Sequence, residues 1–259
     1  MSRLDPADLG DFANHLADAA RAVSMAYFRQ NIEVEHKSDA SPVTAADRET
    51  ERVLRELIRA RFPEHGLFGE EHGRDGEDQR FCWVIDPIDG TKSFITGVPL
   101  FGTLIALLDR DQSVLGVLDM PAINERWVGI KGHRSTFNGS ACETRHCVHL
   151  NEASLFATSI DIFDGVDRRR FDALSLATSF RRFGIDCYAY GLLASGFVDL
   201  VVESDLKPYD YLALIPVVEG AGGKITDWNG APLGLRSEGR VVAAATSVLH
   251  ERALELLSD

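Results

Sequence analysis

Trp83-Val84-Ile85-Asp86-Pro87-Ile88-Asp89-Gly90-Thr91 is the stretch from which the rest of the chain can be understood. Residues 81–85 form an apolar run of strand length, and Pro87 has no N–H for a sheet ladder. The chain is therefore expected to leave its sheet where the acids begin. Asp86 and Asp89 would then project from a rigid sheet edge. Gly90 permits a tight turn that lets the amides of Gly90, Thr91 and Lys92 converge on an anion, while carboxylate oxygens suit a hard divalent cation such as Mg²⁺. Two acids beside amide donors point to metal-assisted phosphoryl chemistry.

Working outward, Leu9, Phe12, Ala13, Leu16, Ala20, Val23 and Tyr27 recur at helical spacing and predict an amphipathic first helix. Thr44-Ala-Ala-Asp47 has the form of a capping box, and Val53, Leu54, Leu57 and Ile58 make the apolar face of a second helix that Pro63 ends. Asp47 thus falls in a first helical turn. The short apolar run 67–69 delivers Glu70 and Glu71. Residues 103–108, 113–120 and 126–131 read as a β meander, and Phe137-Asn-Gly-Ser140 as a hairpin turn. Beyond about residue 150 the pattern alternates: an apolar run at 155–160, helices at 167–178, 187–195 and 210–221, strands at 198–203, 224–228 and 241–246, and a terminal helix. Two parts are expected, a metal-binding α+β half over 1–150 and an α/β half over 151–259 that carries specificity. A cleft between them is the expected ligand site.

The 259 residues and 45% hydrophobic content allow a substantial core. A net charge of −13 and a pI near 5.0 exclude nucleic acid as a partner, because the phosphate backbone would be repelled. A small anionic substrate meets the same repulsion unless bound cations reverse the local sign. Cys82, Cys142, Cys147 and Cys187 form no CxxC pair and are expected unpaired, as in a reducing cytosol. Met-Ser-Arg-Leu-Asp-Pro at the start has no apolar h-region, and no stretch has the length of a membrane span. The expectation is a cytoplasmic protein without membrane contact.

Four acidic spots stand out: Asp47, Glu70, Asp86 with Asp89, and Asp210. Taken singly, Asp47 and Asp210 read as helix caps, Glu70 as a solvated loop charge and Asp-Pro-x-Asp as a turn. Together, in order, they resemble the inositol-monophosphatase superfamily. The resemblance rests on Lys37-Ser-Asp-Ala-Ser-Pro-Val-Thr-Ala-Ala-Asp47, Phe68-Gly-Glu-Glu-His-Gly73, the Asp86 motif, and Tyr209-Asp210 with Glu219-Gly-Ala-Gly-Gly223, so it spans nearly the whole chain. It implies an αβαβα layered sandwich with a mixed, mostly antiparallel first sheet. It also implies that Glu70, Asp86, Asp89, Asp210 and the Ile88 carbonyl hold two or three Mg²⁺ ions. Thr91 and Asp47 would help deprotonate the attacking water while Glu70 orients it, and Asp89, Gly90, Thr91, Lys92 and Asp210 would meet the substrate. A homodimer is expected on the same grounds.

The superfamily's metal motifs do not separate its phosphate esters. Glu203, seven residues before Asp210, matches the family acid that contacts the rest of the substrate. Where inositol-specific members carry small residues, this chain reads Gly184-Ile-Asp186-Cys-Tyr-Ala-Tyr190. An added carboxylate suits an ammonium better than a neutral polyol. The runs 89–105 and 206–214 are also similar to the histidinol-phosphatase branch, which implies L-histidinol phosphate as substrate. Asp186 can equally be an N-cap for the helix that follows. An inositol or sugar phosphatase is the alternative within the class, and a non-catalytic metal-binding scaffold the alternative outside it. His146 and His149 flank Cys147 but would point to opposite faces of an extended segment. Arg168, Arg169 and Arg170 read as a solvated helix face, and the role of His72 is left to geometry.

Overall fold

The helical and alternating patterns become the elements of a layered molecule. The computed structural model describes residues 6–31, 33–36, 42–76 and 79–258; residues 37–41 of the quoted motif lie outside them. In chain order, α1 (Pro6–Tyr27) is followed by the short antiparallel pair β1 (Val34–His36) and β2 (Pro42–Thr44). Then come α2 (Ala45–Arg61), β3 (Gly66–Gly69), β4 (Gly73–Asp75), β5 (Phe81–Asp89) and α3 (Thr91–Ile95). The meander is β6 (Gly102–Asp109), β7 (Gln112–Met120), β8 (Glu125–Ile130), β9 (Thr136–Phe137) and β10 (Ser140–Ala141). The rest alternates through β11 (Ser154–Ala157), α4 (Gly165–Ala177), β12 (Phe180–Phe183), α5 (Tyr188–Ala194), β13 (Leu200–Glu203) and α6 (Pro208–Tyr211). It ends with α7 (Leu214–Gly220), β14 (Lys224–Thr226), β15 (Val241–Ala244) and α8 (Ser247–Leu257). No helix of the described residues is long and apolar enough to cross a membrane.

An eight-stranded sheet, ordered β10-β9-β8-β7-β6-β5-β3-β4, is antiparallel except where β3 runs parallel to β5. A five-stranded sheet, β12-β11-β13-β15-β14, is mixed. Period-two alternation decides which residues face where. Trp83, Ile85, Ile105 and Val117 pack against Leu16, Leu54 and Ile58 of α1 and α2 on one face of the large sheet. Val84, Leu104, Leu118 and Trp127 meet α5 to α7 and the inner face of the small sheet on the other. Leu155, Leu200 and Val242 then pack on Phe171 of α4 and Leu249 of α8. The result is the expected αβαβα sandwich.

Three details depart from the sequence reading. β5 does not leave the sheet at Pro87. It pairs with β6 through Asp89, with Asp86 opposite Leu104 and Asp89 opposite Gly102, so three steps on one strand match two on the other. This bulge absorbs the missing proline donor. The Pro87 carbonyl accepts a bond from Thr103 Oγ1 at 2.9 Å, and the Ile88 N–H reaches Asp86 Oδ1 at 3.0 Å. The helix expected over 210–221 is broken into α6 and α7. Pro216 has no N–H for the Leu212 carbonyl, which accepts from Ser113 Oγ at 2.8 Å instead. Strand β12, Phe-Arg-Arg-Phe, was not expected: its two arginines hide the strand pattern, and it survives as an edge paired only to β11. The hairpin turn at Asn138 and Gly139 is as expected, with φ of 47° and 79°.

Candidate active site

Parallel pairing of β3 and β5 puts Gly69 beside Ile85, so the residues that follow, Glu70 and Asp86, emerge as neighbours. The Glu70 N–H holds the Ile85 carbonyl at 3.2 Å. The β5 bulge makes the second contribution. Residues three apart on a regular strand point to opposite faces; the extra residue turns Asp86 and Asp89 to the same side. α6 packs against β5 and supplies Asp210, whose Oδ2 accepts the Lys207 N–H at 2.7 Å. Asp210 is thus a helix-start acid and a site acid at once. Carboxylate oxygens of Asp86, Asp89 and Asp210 lie within 4.8 Å of one another.

Burial, then the charges of Glu70, Asp89 and Asp210, push the Asp86 carboxyl well above its ordinary range. Burial and the Asp89 charge do the same to Asp210, and burial raises Asp89 against the opposing Cys187 bond. Crowded, desolvated carboxylates of this kind suit an oxygen-seeking divalent cation that cancels their repulsion. Ile88 lines the same cavity, and its carbonyl accepts from Thr91 Oγ1 at 3.1 Å.

Gly90 turns the chain into α3 with a left-handed φ of 82°. A Cβ there would stand 3.1 Å from Asp186 Oδ2 and 3.2 Å from the Leu100 carbonyl, so glycine is required for both conformation and space. The amides of Thr91 and Lys92 begin the helix and have no intrahelical partner by geometry. The Lys92 side chain is exposed and lies outside the cavity lining, although its charge opposes the rise of the Asp186 carboxyl.

Asp86, Ile88, Asp89 and Thr91 share a cavity of about 190 Å³ with Asp186, Glu203 and Asp210; Glu70 and Gly90 complete that side. A wider hollow of about 560 Å³, beside Lys131 and the end of α7, holds none of these groups. Asp47 is buried and outside the cavity lining, its Oδ2 accepting the Thr44 hydroxyl at 2.6 Å and the Thr44 N–H at 2.8 Å. Burial raises it, and the nearby Glu70 charge adds to this. The capping reading of Asp47 is therefore literally what its carboxylate does.

Asp186 is not the cap of α5. It has a left-handed φ of 44°, and its Oδ2 faces the Ser93 hydroxyl at 3.3 Å, while the Cys187 N–H goes to Asp89 Oδ2 at 2.8 Å. Burial and the Asp89 charge push its carboxyl up to about 7. Glu203 is buried at the end of β13; Oε1 takes the Thr158 N–H at 2.8 Å and hydroxyl at 3.1 Å, whereas Oε2 has no partner. The buried Tyr190 hydroxyl also has none. Ser93, Thr158 and Tyr190 escape a sequence reading because their types have no charge pattern to mark them. His72 lies outside the cavity lining, and His149 Nδ1 meets Arg252 Nη1 at 2.7 Å. Arg168 and Arg169 are exposed on α4, and the four cysteines are free.

A family model described as the inositol monophosphatase family matches residues 5–259. The chain is 46% identical to the bifunctional phosphatase IMPL2, chloroplastic, of Arabidopsis thaliana, over 99% of this chain and 78% of that protein. It is 38% identical to a histidinol-phosphatase of Chlorobaculum parvum, over 89% of this chain and 90% of that one. Among solved structures, an inositol monophosphatase from Zymomonas mobilis matches with a TM-score of 0.90 at 43% identity, covering 99% of this chain and all of that one.

Proposed function

The chain belongs to the inositol monophosphatase family, whose members are metal-dependent phosphatases, and from that premise we propose that it hydrolyses L-histidinol phosphate with Mg²⁺ as its metal. The observation that carries the substrate is the second pair of acids. Asp186 and Glu203 line the same cavity as the metal-type cluster, and Glu203 Oε2 is buried without a donor. A buried acceptor left unpaired costs about 1–3 kcal/mol, so the ligand that fills this site is one that brings donors. Both an ammonium and a polyol hydroxyl donate, but only the ammonium of histidinol adds the positive charge that two neighbouring carboxylates favour. The Chlorobaculum parvum relative bears the name of that activity, which supports the same reading.

In this reading Asp86, Asp89 and Asp210, with Glu70 and the Ile88 carbonyl, hold two or three ions. Bound cations supply Lewis acidity toward the phosphoryl oxygens and make water acidic enough to attack at neutral pH. The amides of Gly90, Thr91 and Lys92 cradle the phosphate. Thr91 Oγ1 has given its hydrogen to Ile88, so its lone pairs are free to accept from the attacking water and aim it at phosphorus. Glu70 orients the same water, and its proton passes to the carboxylate system that includes Asp47. The P–O ester bond would then break, and the leaving alkoxide would take the proton held by that carboxylate system, giving histidinol and inorganic phosphate. Residues 1–150 thus supply most of the metal acids and 151–259 the substrate acids. A homodimer belongs to the same reading, checked by sedimentation.

A phosphate-release assay on histidinol phosphate, inositol 1-phosphate and fructose 1,6-bisphosphate tests this. Histidinol phosphate should lead in kcat/KM by at least about tenfold, the worth of one charge-assisted hydrogen bond, and a chelator should stop release. A higher kcat/KM on inositol phosphate overturns the substrate. No turnover on any ester, from folded protein with Mg²⁺, favours a metal-binding scaffold.

A further inference from the structure

Helix α2 carries a stripe of buried polar residues of which the chemistry above uses only Asp47. Asp47, Glu51 and Arg55 stand four residues apart, so they stack along one face, and all three are buried. Glu51 is 0% exposed. Its Oε1 holds Arg55 Nε at 2.6 Å, its Oε2 accepts the Glu71 N–H at 2.7 Å, and Oε1 also accepts the His72 N–H at 3.2 Å. His72 Nδ1 lies 3.4 Å from the same oxygen. Arg55 Nη2 in turn donates to the Gly73 carbonyl. A Cβ on Gly69 would fall 1.9 Å from Glu51 Oε1, so the carboxylate lies directly over that backbone.

Residues 69–73 are therefore wrapped around one buried ion pair, and Glu70 lies within the wrap, between the Gly69 contact and the Glu71 amide. We infer that Glu51, seated on Arg55, is a positioning residue that fixes the Glu70 turn and so sets the affinity of the site for its divalent cation. His72 belongs to this support and not to the substrate cavity. The physical case is that a turn of five residues has many conformations, whereas one carboxylate that takes two successive amides, and excludes a side chain at Gly69, leaves few. Groups that orient a metal ligand without touching the metal typically change metal affinity tenfold to a hundredfold when removed. The inference rests on Glu70 being a metal ligand.

The probe is Mn²⁺ binding to the metal-free protein, followed by EPR of the free ion, with melting temperature measured in parallel. Glu51→Gln should weaken binding by about tenfold to a hundredfold. Leu54→Ala, on the same helix but in the apolar core, should lower the melting temperature and leave Mn²⁺ affinity as it was. Unchanged affinity in Glu51→Gln overturns the inference, and so does an equal loss in Leu54→Ala, which would mean general loosening. If Glu51→Gln does not fold, Arg55→Lys keeps the cation but loses the Gly73 contact; it should weaken binding in the same direction, and normal binding there overturns the inference equally. Glu70→Gln separates the two levels. Normal binding in that variant removes the metal-ligand reading itself, whereas weak binding there with normal binding in Glu51→Gln removes only the role given to Glu51.

Discussion

Asp186 and Asp86 show how one residue type does opposite work in one cavity. Asp186 has a hydroxyl and a lysine charge near it, and its carboxyl is raised only to about 7, so an arriving ammonium can hold it ionised. Asp186→Asn should raise KM for histidinol phosphate by about tenfold to a hundredfold while changing KM for a neutral phosphate ester little. Equal changes on both esters would remove amine recognition from this residue. Asp86 is buried against the charges of Glu70, Asp89 and Asp210, so its ionisation depends on metal. Asp86→Asn should cost at least about a thousandfold in kcat, because several kcal/mol of charge stabilisation leaves with the cation. The metal-free variant should melt no lower than the parent, since a repulsion is gone, and Mg²⁺ should no longer raise its melting temperature. A variant that still gains stability from Mg²⁺ would place the ion elsewhere.

Elements aim these side chains, and α7 is the least obvious of them. It lies on β7 and β8 where Gly116 and Gly129 are cross-strand partners. A Cβ on Gly129 would stand 2.3 Å from the Pro216 backbone, and one on Gly116 1.8 Å from the Ala213 carbonyl. The glycine pair is the seat that lets α7, and α6 before it, approach the sheet closely enough to bring Asp210 to the end of β5. Gly129→Ala should destabilise by more than the usual 1–3 kcal/mol of overpacking, because backbone and not a flexible side chain must move. Denaturant unfolding measures that, and Mn²⁺ binding should weaken with it; a variant of parental stability would mean the helix is not seated there. The β5 bulge is the matching device on the other side of the site, because without it residues three apart would face opposite ways.

For the molecule as a whole, the acids make stability depend on pH and metal together. The site carboxyls are raised in the folded protein, so the native state binds more protons than the unfolded chain above the ordinary carboxyl range near pH 4. Their contribution is present below that pH and is lost as pH rises, the Asp186 share by about 7 and the Asp86 and Asp210 shares as pH climbs through their own raised range. Metal-free protein should therefore lose stability from these groups as pH rises above about 4, and Mg²⁺ should restore it most at the higher pH. His250, pushed down to about 4 by burial, acts in the other direction, since its share fades as pH falls below its ordinary 6.5. Urea midpoints of the metal-free parent and Asp86→Asn across this range separate the two, because both proteins keep His250. Identical pH curves would mean Asp86 does not carry the effect.

Much of the site was readable along the chain because its members sit at local signals: Asp47 in a capping box, Asp210 after a proline-led helix start, Asp86 and Asp89 around Pro87. Their types and order point to a metal-and-phosphate chemistry from sequence alone. Glu51 was not readable, since a Glu and an Arg four apart on a helix look like a solvated pair until both are found buried under residues 69–73. Nor could the chain say that β5 continues past its proline, or that Asp186 turns away from capping, because a bulge register and a left-handed φ are set by partners distant in sequence. Residue identity and short-range spacing thus specify which groups are present and what they can ligate. Which face each group points to, and which acids share one cavity, follows from strand register, helix seating and burial, whose free energy comes from contacts between residues far apart in the chain.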